Sequence, residues 1–291
     1  MERRFILLSG QADVKKVGER LRFINSSGSV EKPVRYIEAV IVLGSLSLSS
    51  HAVSLLLSNR IPVFFLSRFG TFRGMLMHGF LSSANTLRIR QYEAFLSRRL
   101  EIARGIILRK LENIERIYMN NMSDLKLELR SADSIDAIMG IEGRASRLMF
   151  KSFKKNIAGS GLRFAGRSYR PPADEINALL SFAYSLTYAL AFPLILHLGY
   201  DPYLSFLHTK RGSHASFCSD IIEPLRPFVT KELEKEILRN GFRRKDFVKE
   251  GKGFYLRRES LPKFMGWFEK IKDSVVGGLK ESILSVGEDL A

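Results

Sequence analysis

Cysteine is almost missing: Cys218 stands alone in 291 residues, so no intrachain disulfide can form and no C-x-x-C or Cys/His zinc spacing exists. A reducing, intracellular setting follows as the expectation, with residence in the cytoplasm. Acidic side chains are in short supply as well, 30 against 46 Lys and Arg, which leaves a net charge of +16. That imbalance favours polyanionic partners, nucleic acid ahead of anionic membrane. The N-terminal MERRFILLSGQADVKK holds only a short apolar run before Gln11 and Asp13, so no export signal is expected. Repeats and low-complexity tracts are lacking. Only residues 176–198 approach the roughly 20 apolar residues of a membrane span. Asn177, Ser181, Ser185, Thr187, Pro193 and His197 interrupt them, and the stretch reads as the core helix of a soluble domain without a membrane partner.

What is present is enough to fold. At 45% apolar and 11% aromatic the chain can bury sizeable cores, and its length suggests about two domains. The first part is β-rich, with short β-branched or aromatic runs at 5–8, 14–17, 21–23, 35–43 and 63–66. SGQ, INSSGS and GSLSLSS read as the turns between them. One helix is expected at 50–59, capped by Ser49 or Ser50, with Val53, Leu56 and Leu57 as its apolar face. Near Asn85 the period changes. Ile89, Tyr92, Phe95, Leu96, Leu100, Ile106, Ile107 and Leu111 recur at helical steps, predicting one long amphipathic helix. Helical patterns continue to the C-terminus, apart from a short extended piece at 253–256. The expected fold is α+β: a small β-rich, β-sandwich-like domain over 1–84, then a larger all-α catalytic domain over 85–291.

Charge is not spread evenly. Residues 143–170 hold eight Lys/Arg, no Asp or Glu and four aromatics, a combination suited to a phosphate backbone and bases. Arg144, Arg147, Lys151 and Lys154 fall at helical steps and share a face. Glu142 precedes this stretch and could merely complement a helix dipole. A second cluster gathers Asp201, His208, His214, Asp220 and Glu223, with Lys210, Arg211 and Arg226 among them. Asp220 and Glu223 are one helical turn apart, although Pro224 should delay or kink that helix. Carboxylates with an imidazole suit Mn²⁺ and tolerate Mg²⁺. The same spacing also admits plain ion pairs with the nearby Lys and Arg. A carboxylate-bound metal beside a cationic groove is what phosphodiester chemistry needs, and spacing does not choose between nuclease, strand transferase and polymerase.

Four ordered blocks narrow the choice: IMGIEG at 138–143, YRPPADEINALLSFAY at 169–184, GYDPYLSFLH at 199–208 and SDIIEPLRP at 219–227. With them the sequence resembles the CRISPR-associated endonuclease and integrase family, the universal larger subunit of the spacer-acquisition complex. The resemblance implies that Glu142, His208 and Glu223 coordinate Mn²⁺ or Mg²⁺, with Asp220 as an auxiliary catalytic group one turn earlier. Tyr184 matches a family tyrosine position, and Tyr188 could serve instead in another helix register; both also suit a core. Arg144, Arg147, Lys151, Lys210 and Arg211 become the DNA-binding candidates. The implied activity is metal-dependent cleavage and strand transfer, in which spacer 3′ hydroxyls of double-stranded DNA attack phosphodiesters at the ends of the CRISPR repeat. The implied assembly is a homodimer joined through the β domains and bound to a small ferredoxin-like acquisition partner. From residues alone the competing reading is a non-catalytic basic nucleic-acid-binding scaffold. Two departures from the family pattern stand out: Ser205 where glycine is frequent, and the polar stretch 216–219 before Asp220.

Overall fold

The computed structural model describes residues 4–25, 28–66, 72–78, 84–168, 171–209 and 214–290. The chain divides into two compact units, Met1–Asn85 and Thr86–Ala291.

In the first unit a six-stranded sheet is built from β1 (Arg4–Val17), β2 (Arg20–Asn25), β3 (Gly28–Pro33), β4 (Ile37–Leu48), β5 (Val63–Leu66) and β6 (Phe72–Leu76), in the order β3-β2-β1-β4-β5-β6. β4 runs parallel to both β1 and β5, and the other pairs are antiparallel. Parallel β4 and β5 require a crossover, and α1 (Ser50–Ser58) supplies it. The Ser49 hydroxyl caps that helix by accepting from the Ala52 N–H. Its buried face is Ala52, Leu55 and Leu56, so Val53 and Leu57 sit to the side of the stripe expected from the sequence. These side chains meet Val14, Leu21, Ile37, Val40 and Val63 in one apolar core.

Two stretches that read as turns lie inside strands. SGQ falls in β1 and much of GSLSLSS in β4, because Gly10 and Gly44 take φ values of 82° and 143°. The two glycines face each other in the β1–β4 register. A Cβ on Gly44 would lie 2.2 Å from the Gly10 carbonyl oxygen, so no other residue fits there.

The second unit holds α2 (Ala84–Ser97), α3 (Arg99–Tyr118), α4 (Ser123–Ser131), α5 (Ile135–Asn156), α6 (Glu175–His197), α7 (Ser216–Ile222), α8 (Arg226–Leu238) and α9 (Leu261–Asp289). The helix expected from residue 85 onward is two helices, broken at Arg98 with φ −131°. A two-stranded ribbon, β7 (Phe247–Glu250) and β8 (Gly253–Leu256), interrupts an otherwise helical unit, where the sequence hinted at only one extended piece. The arrangement is α+β, a β-rich region followed by a mostly helical one. α6 is long and apolar enough to cross a membrane, and 78% of its apolar window is buried inside the unit. It serves as the core helix, capped by Asp174, whose carboxylate accepts the Asn177 N–H at 2.8 Å. α3 packs against α5 and against the short turn Glu223–Leu225 that joins α7 to α8, and this packing positions the site.

Candidate active site and nucleic-acid interface

α5 buries Ile138, Ile141, Ala145, Met149 and Phe153 at helical steps, leaving Glu142 and Ser146 at the edge of the apolar stripe. Opposite them α3 buries Ile106, Ile107, Lys110, Leu111 and Ile114. Lys110 is therefore a cation on a hydrophobic face, with no exposed surface. Its ammonium donates to Glu142 Oε1, to Glu223 Oε2 at 2.7 Å and to Ser146 Oγ at 2.9 Å. The Ser146 hydroxyl in turn donates to Glu142 at 2.7 Å. Glu223 also receives Arg226 at 3.0 Å on Oε1. Burial would push the Lys110 pKa down, but the two carboxylates outweigh it and hold the ammonium above its ordinary value. Burial would raise Glu223, yet Arg226, Lys110 and His208 bring it down to about 2.

Pro224 ends α7 at Ile222 and starts a tight turn, as its missing N–H demands. Asp220 and Glu223 consequently reach His208 from opposite sides. Asp220 Oδ1 lies 2.8 Å from His208 Nδ1, and Glu223 Oε1 lies 3.6 Å from Nε2. Asp220 also accepts the backbone N–H groups of Phe206, Leu207 and His208 at 2.7, 3.0 and 3.0 Å. Both of its oxygens are thus committed to holding the loop and the imidazole. This makes Asp220 a positioning residue that aims Nε2 at Glu223. Burial lowers the His208 pKa, and the Asp220 hydrogen bond with the Glu223 charge more than reverses that, raising it overall. Ser205, the departure from glycine, bonds to the His208 carbonyl and to Ser216 Oγ at 2.8 Å, so the substitution and the polar 216–219 stretch tie the same loop down.

A cavity of about 270 Å³ opens beside Glu142, lined by Arg147, Phe150, Arg167, Tyr184 and Arg226. The Tyr184 ring has two guanidiniums near it, Arg167 5.6 Å and Arg226 5.4 Å from its centre. Its hydroxyl meets Thr230 Oγ1 at 2.5 Å. Tyr188 has a different part: it stacks on His214 and accepts the Ala215 N–H, propping the entry to α7. Two glutamates and an imidazole nitrogen are donors suited to a hard divalent cation. Among the described residues no three His, Cys, Asp or Glu side chains are drawn together tightly enough to chelate an ion as they stand, because the Lys110 ammonium occupies the space between Glu142 and Glu223. The carboxylates are ion-paired, as the bland reading of the sequence allowed, but the pairs are buried ones.

Comparison with known proteins decides the family. The model of the family described as CRISPR associated protein Cas1 matches residues 5–270. The chain belongs to the Cas1 family. It is 28% identical over 283 residues to the CRISPR-associated endonuclease Cas1 3 of Thermus thermophilus, covering 92% of this chain and 85% of that one. The structure of TM1797, a Cas1 protein from Thermotoga maritima, superposes with a TM-score of 0.84 at 23% identity, covering 100% of this chain and 97% of the other. A casposase bound to its integration product shares the fold with a TM-score of 0.67 at 21% identity, over 99% and 96% of the two chains.

In this Cas1-family chain two groups of exposed cations stand out among the described residues of the second unit. Arg147 and Lys151 project from α5, whereas Arg144 is paired with Glu128 of α4 and Arg163 with Glu175 of α6. The run without acids in sequence therefore meets acids in space. Of its described aromatics, Phe153 and Phe164 are buried against each other and Phe150 reaches the cavity. Lys210 and Arg211 lie outside the described residues. The second patch is one that sequence reasoning missed. Around the β7–β8 ribbon, residues 239–258 carry eight Lys/Arg against Asp246 and Glu250, and Asp246 is buried beneath Lys263. The ribbon is docked on the loop after α5 by Phe254 N–H to Pro172 O at 2.9 Å and Arg244 to Gly161 O at 2.7 Å.

Proposed function

We propose that the chain is a divalent-metal-dependent DNA endonuclease and integrase that inserts short double-stranded DNA spacers into a CRISPR array. The observation that carries the reading is a linked set, Glu142 joined to Glu223 through Lys110 and His208 Nε2 3.6 Å from Glu223, with Glu142 bordering an arginine-lined cavity. Mn²⁺ or Mg²⁺ held by Glu142, His208 and Glu223 would supply Lewis-acid stabilisation of a charged phosphoryl centre. The protein's own residues do the rest. Asp220 fixes the imidazole, and Arg147, Arg167 and Arg226 present positive charge to the phosphate in the cavity. In strand transfer the spacer 3′ oxygen forms a new P–O bond, the P–O3′ bond of the repeat strand breaks, and the proton lost by the attacking hydroxyl is balanced by the one the departing 3′ oxygen takes up. With water as the attacking group the same geometry cleaves DNA.

The exposed faces of α5 and of the β7–β8 ribbon are suited to hold duplex phosphates. The proposal includes a homodimer formed through the first unit, a small ferredoxin-like acquisition partner and a cytoplasmic setting. The decisive experiment is His208→Ala, with Glu223→Gln beside it. Both variants should bind DNA duplexes like the parent yet lose cleavage and strand transfer in Mn²⁺. Undiminished activity overturns the site. Absence of any Mn²⁺-dependent cutting in the parent protein favours the non-catalytic scaffold.

A further inference from the structure

Lys110 brings a full positive charge to the point where Glu142 and Glu223 meet, although these carboxylates come from separate elements, α5 and the turn after α7. An ammonium has three hydrogens, and here each has an acceptor: Glu142, Glu223 and Ser146. With Arg226 on Glu223, two cations face two anions, so the cluster is neutral without any added ion.

We propose that Lys110 is a resident cation of this site: it holds Glu142 and Glu223 together before a divalent ion arrives, and it competes with that ion for the same two carboxylates. The inference rests on the metal-dependent reading above. Three observations carry it. The ammonium is fully buried and bonded to both glutamates. It spans the pair, whereas the Ser146 hydroxyl bonds to Glu142 and Arg226 to Glu223. The remaining donor, His208, is held by Asp220 with its Nε2 3.6 Å from the Glu223 oxygen that does not bond Lys110. An ion can bind both carboxylates only by taking at least one from Lys110. Its apparent affinity is therefore lowered by whatever stability the lysine contacts give the metal-free protein.

Removing the charge while keeping the stem tests the exchange. Full-length Lys110→Met and the parent are titrated with Mn²⁺ in a calorimeter and melted in EDTA and in Mn²⁺. The variant should bind Mn²⁺ at least about tenfold more tightly, since one like charge is gone from a few ångströms away. It should also melt lower than the parent in EDTA and recover more on adding Mn²⁺. Equal Mn²⁺ affinity in the two proteins overturns the competition while leaving the metal site standing. No Mn²⁺ binding by either overturns the metal reading, and this inference with it. Should Lys110→Met fail to fold in EDTA, the parent answers alone through its lysine ¹⁵Nζ resonances. The Lys110 signal should be protected without metal and should move or vanish as Mg²⁺ saturates the site. A Lys110 resonance unchanged at calorimetric saturation overturns the proposal.

Discussion

Inside the second unit Lys110 and Arg226 end on carboxylates that water barely reaches, whereas Lys151 on α5 and Lys249 and Lys252 on the β7–β8 ribbon end in solvent. The same two residue types do different work in the two places. A buried charge is stabilised by named partners, so deleting any one of them strands another, at about 3–5 kcal/mol for a buried pair. An exposed charge contributes little to the fold and acts through its sum with others, over a range that salt shortens to about 8–10 Å. The pocket should therefore respond sharply to single substitutions and weakly to salt, and the surface the other way round.

Asp220→Asn is the hardest blow to that contrast. The amide keeps one acceptor oxygen where the carboxylate serves three backbone N–H groups and the imidazole. Cleavage should fall by about 100-fold, the upper range for groups that orient a ligand, and urea unfolding should show a loss of about 3 kcal/mol. A variant that cleaves like the parent would show that the loop does not need Asp220 to hold its shape.

On the surface, neutralising Arg147 with Lys151, and separately Lys249, Lys252 and Arg258, should weaken duplex binding and flatten its salt dependence by about 0.9 log unit per lost phosphate contact. Melting temperature should hardly move, because none of these side chains is buried. A patch whose removal leaves the salt slope unchanged does not touch DNA.

The smallest effect is expected where surface and interior meet. Asp246 accepts the Arg243 N–H at 2.7 Å, the Ser260 hydroxyl at 3.1 Å and Lys263 at 2.9 Å. Burial works to raise its carboxyl pKa, and these bonds outweigh it, leaving it below the ordinary value. A carboxyl depressed in the folded state contributes stability above its unfolded pKa, near 3.9, and loses it as pH falls through the folded value. With Lys263 partly exposed, the loss below about pH 4 should stay under about 1 kcal/mol. Comparing urea midpoints at two acidic pH values should show that Asp246→Asn has no such loss.

Much of the candidate cluster was legible as a set of neighbours because its acids and imidazole sit in short ordered blocks: IMGIEG, GYDPYLSFLH and SDIIEPLRP. Lys110 was not, since a lysine among isoleucines looks like an accident of the pattern. The signal was nevertheless present, because position 110 falls on the buried stripe marked by 106, 107, 111 and 114. The ribbon's charge was overlooked because Asp246 and Glu250 interrupt the basic residues in sequence, and only folding takes Asp246 out of the surface. Glycine misled in the first unit for a related reason: positive φ is shared by turns and by strands that bend, and only the partner strand tells them apart.

That partner strand has one more consequence. β1 and β4 are 14 and 12 residues long, and strands of such length could slide past one another and still find hydrogen bonds. The paired glycines act as a keyway. Shifting β1 against β4 by two positions would keep every side chain on its proper face, yet it would bring Val42 or Leu46, each with a Cβ, opposite the Gly10 carbonyl that Gly44 clears. The alignment of β1 against β4 is thus checked at a single point, by two residues that have no side chain.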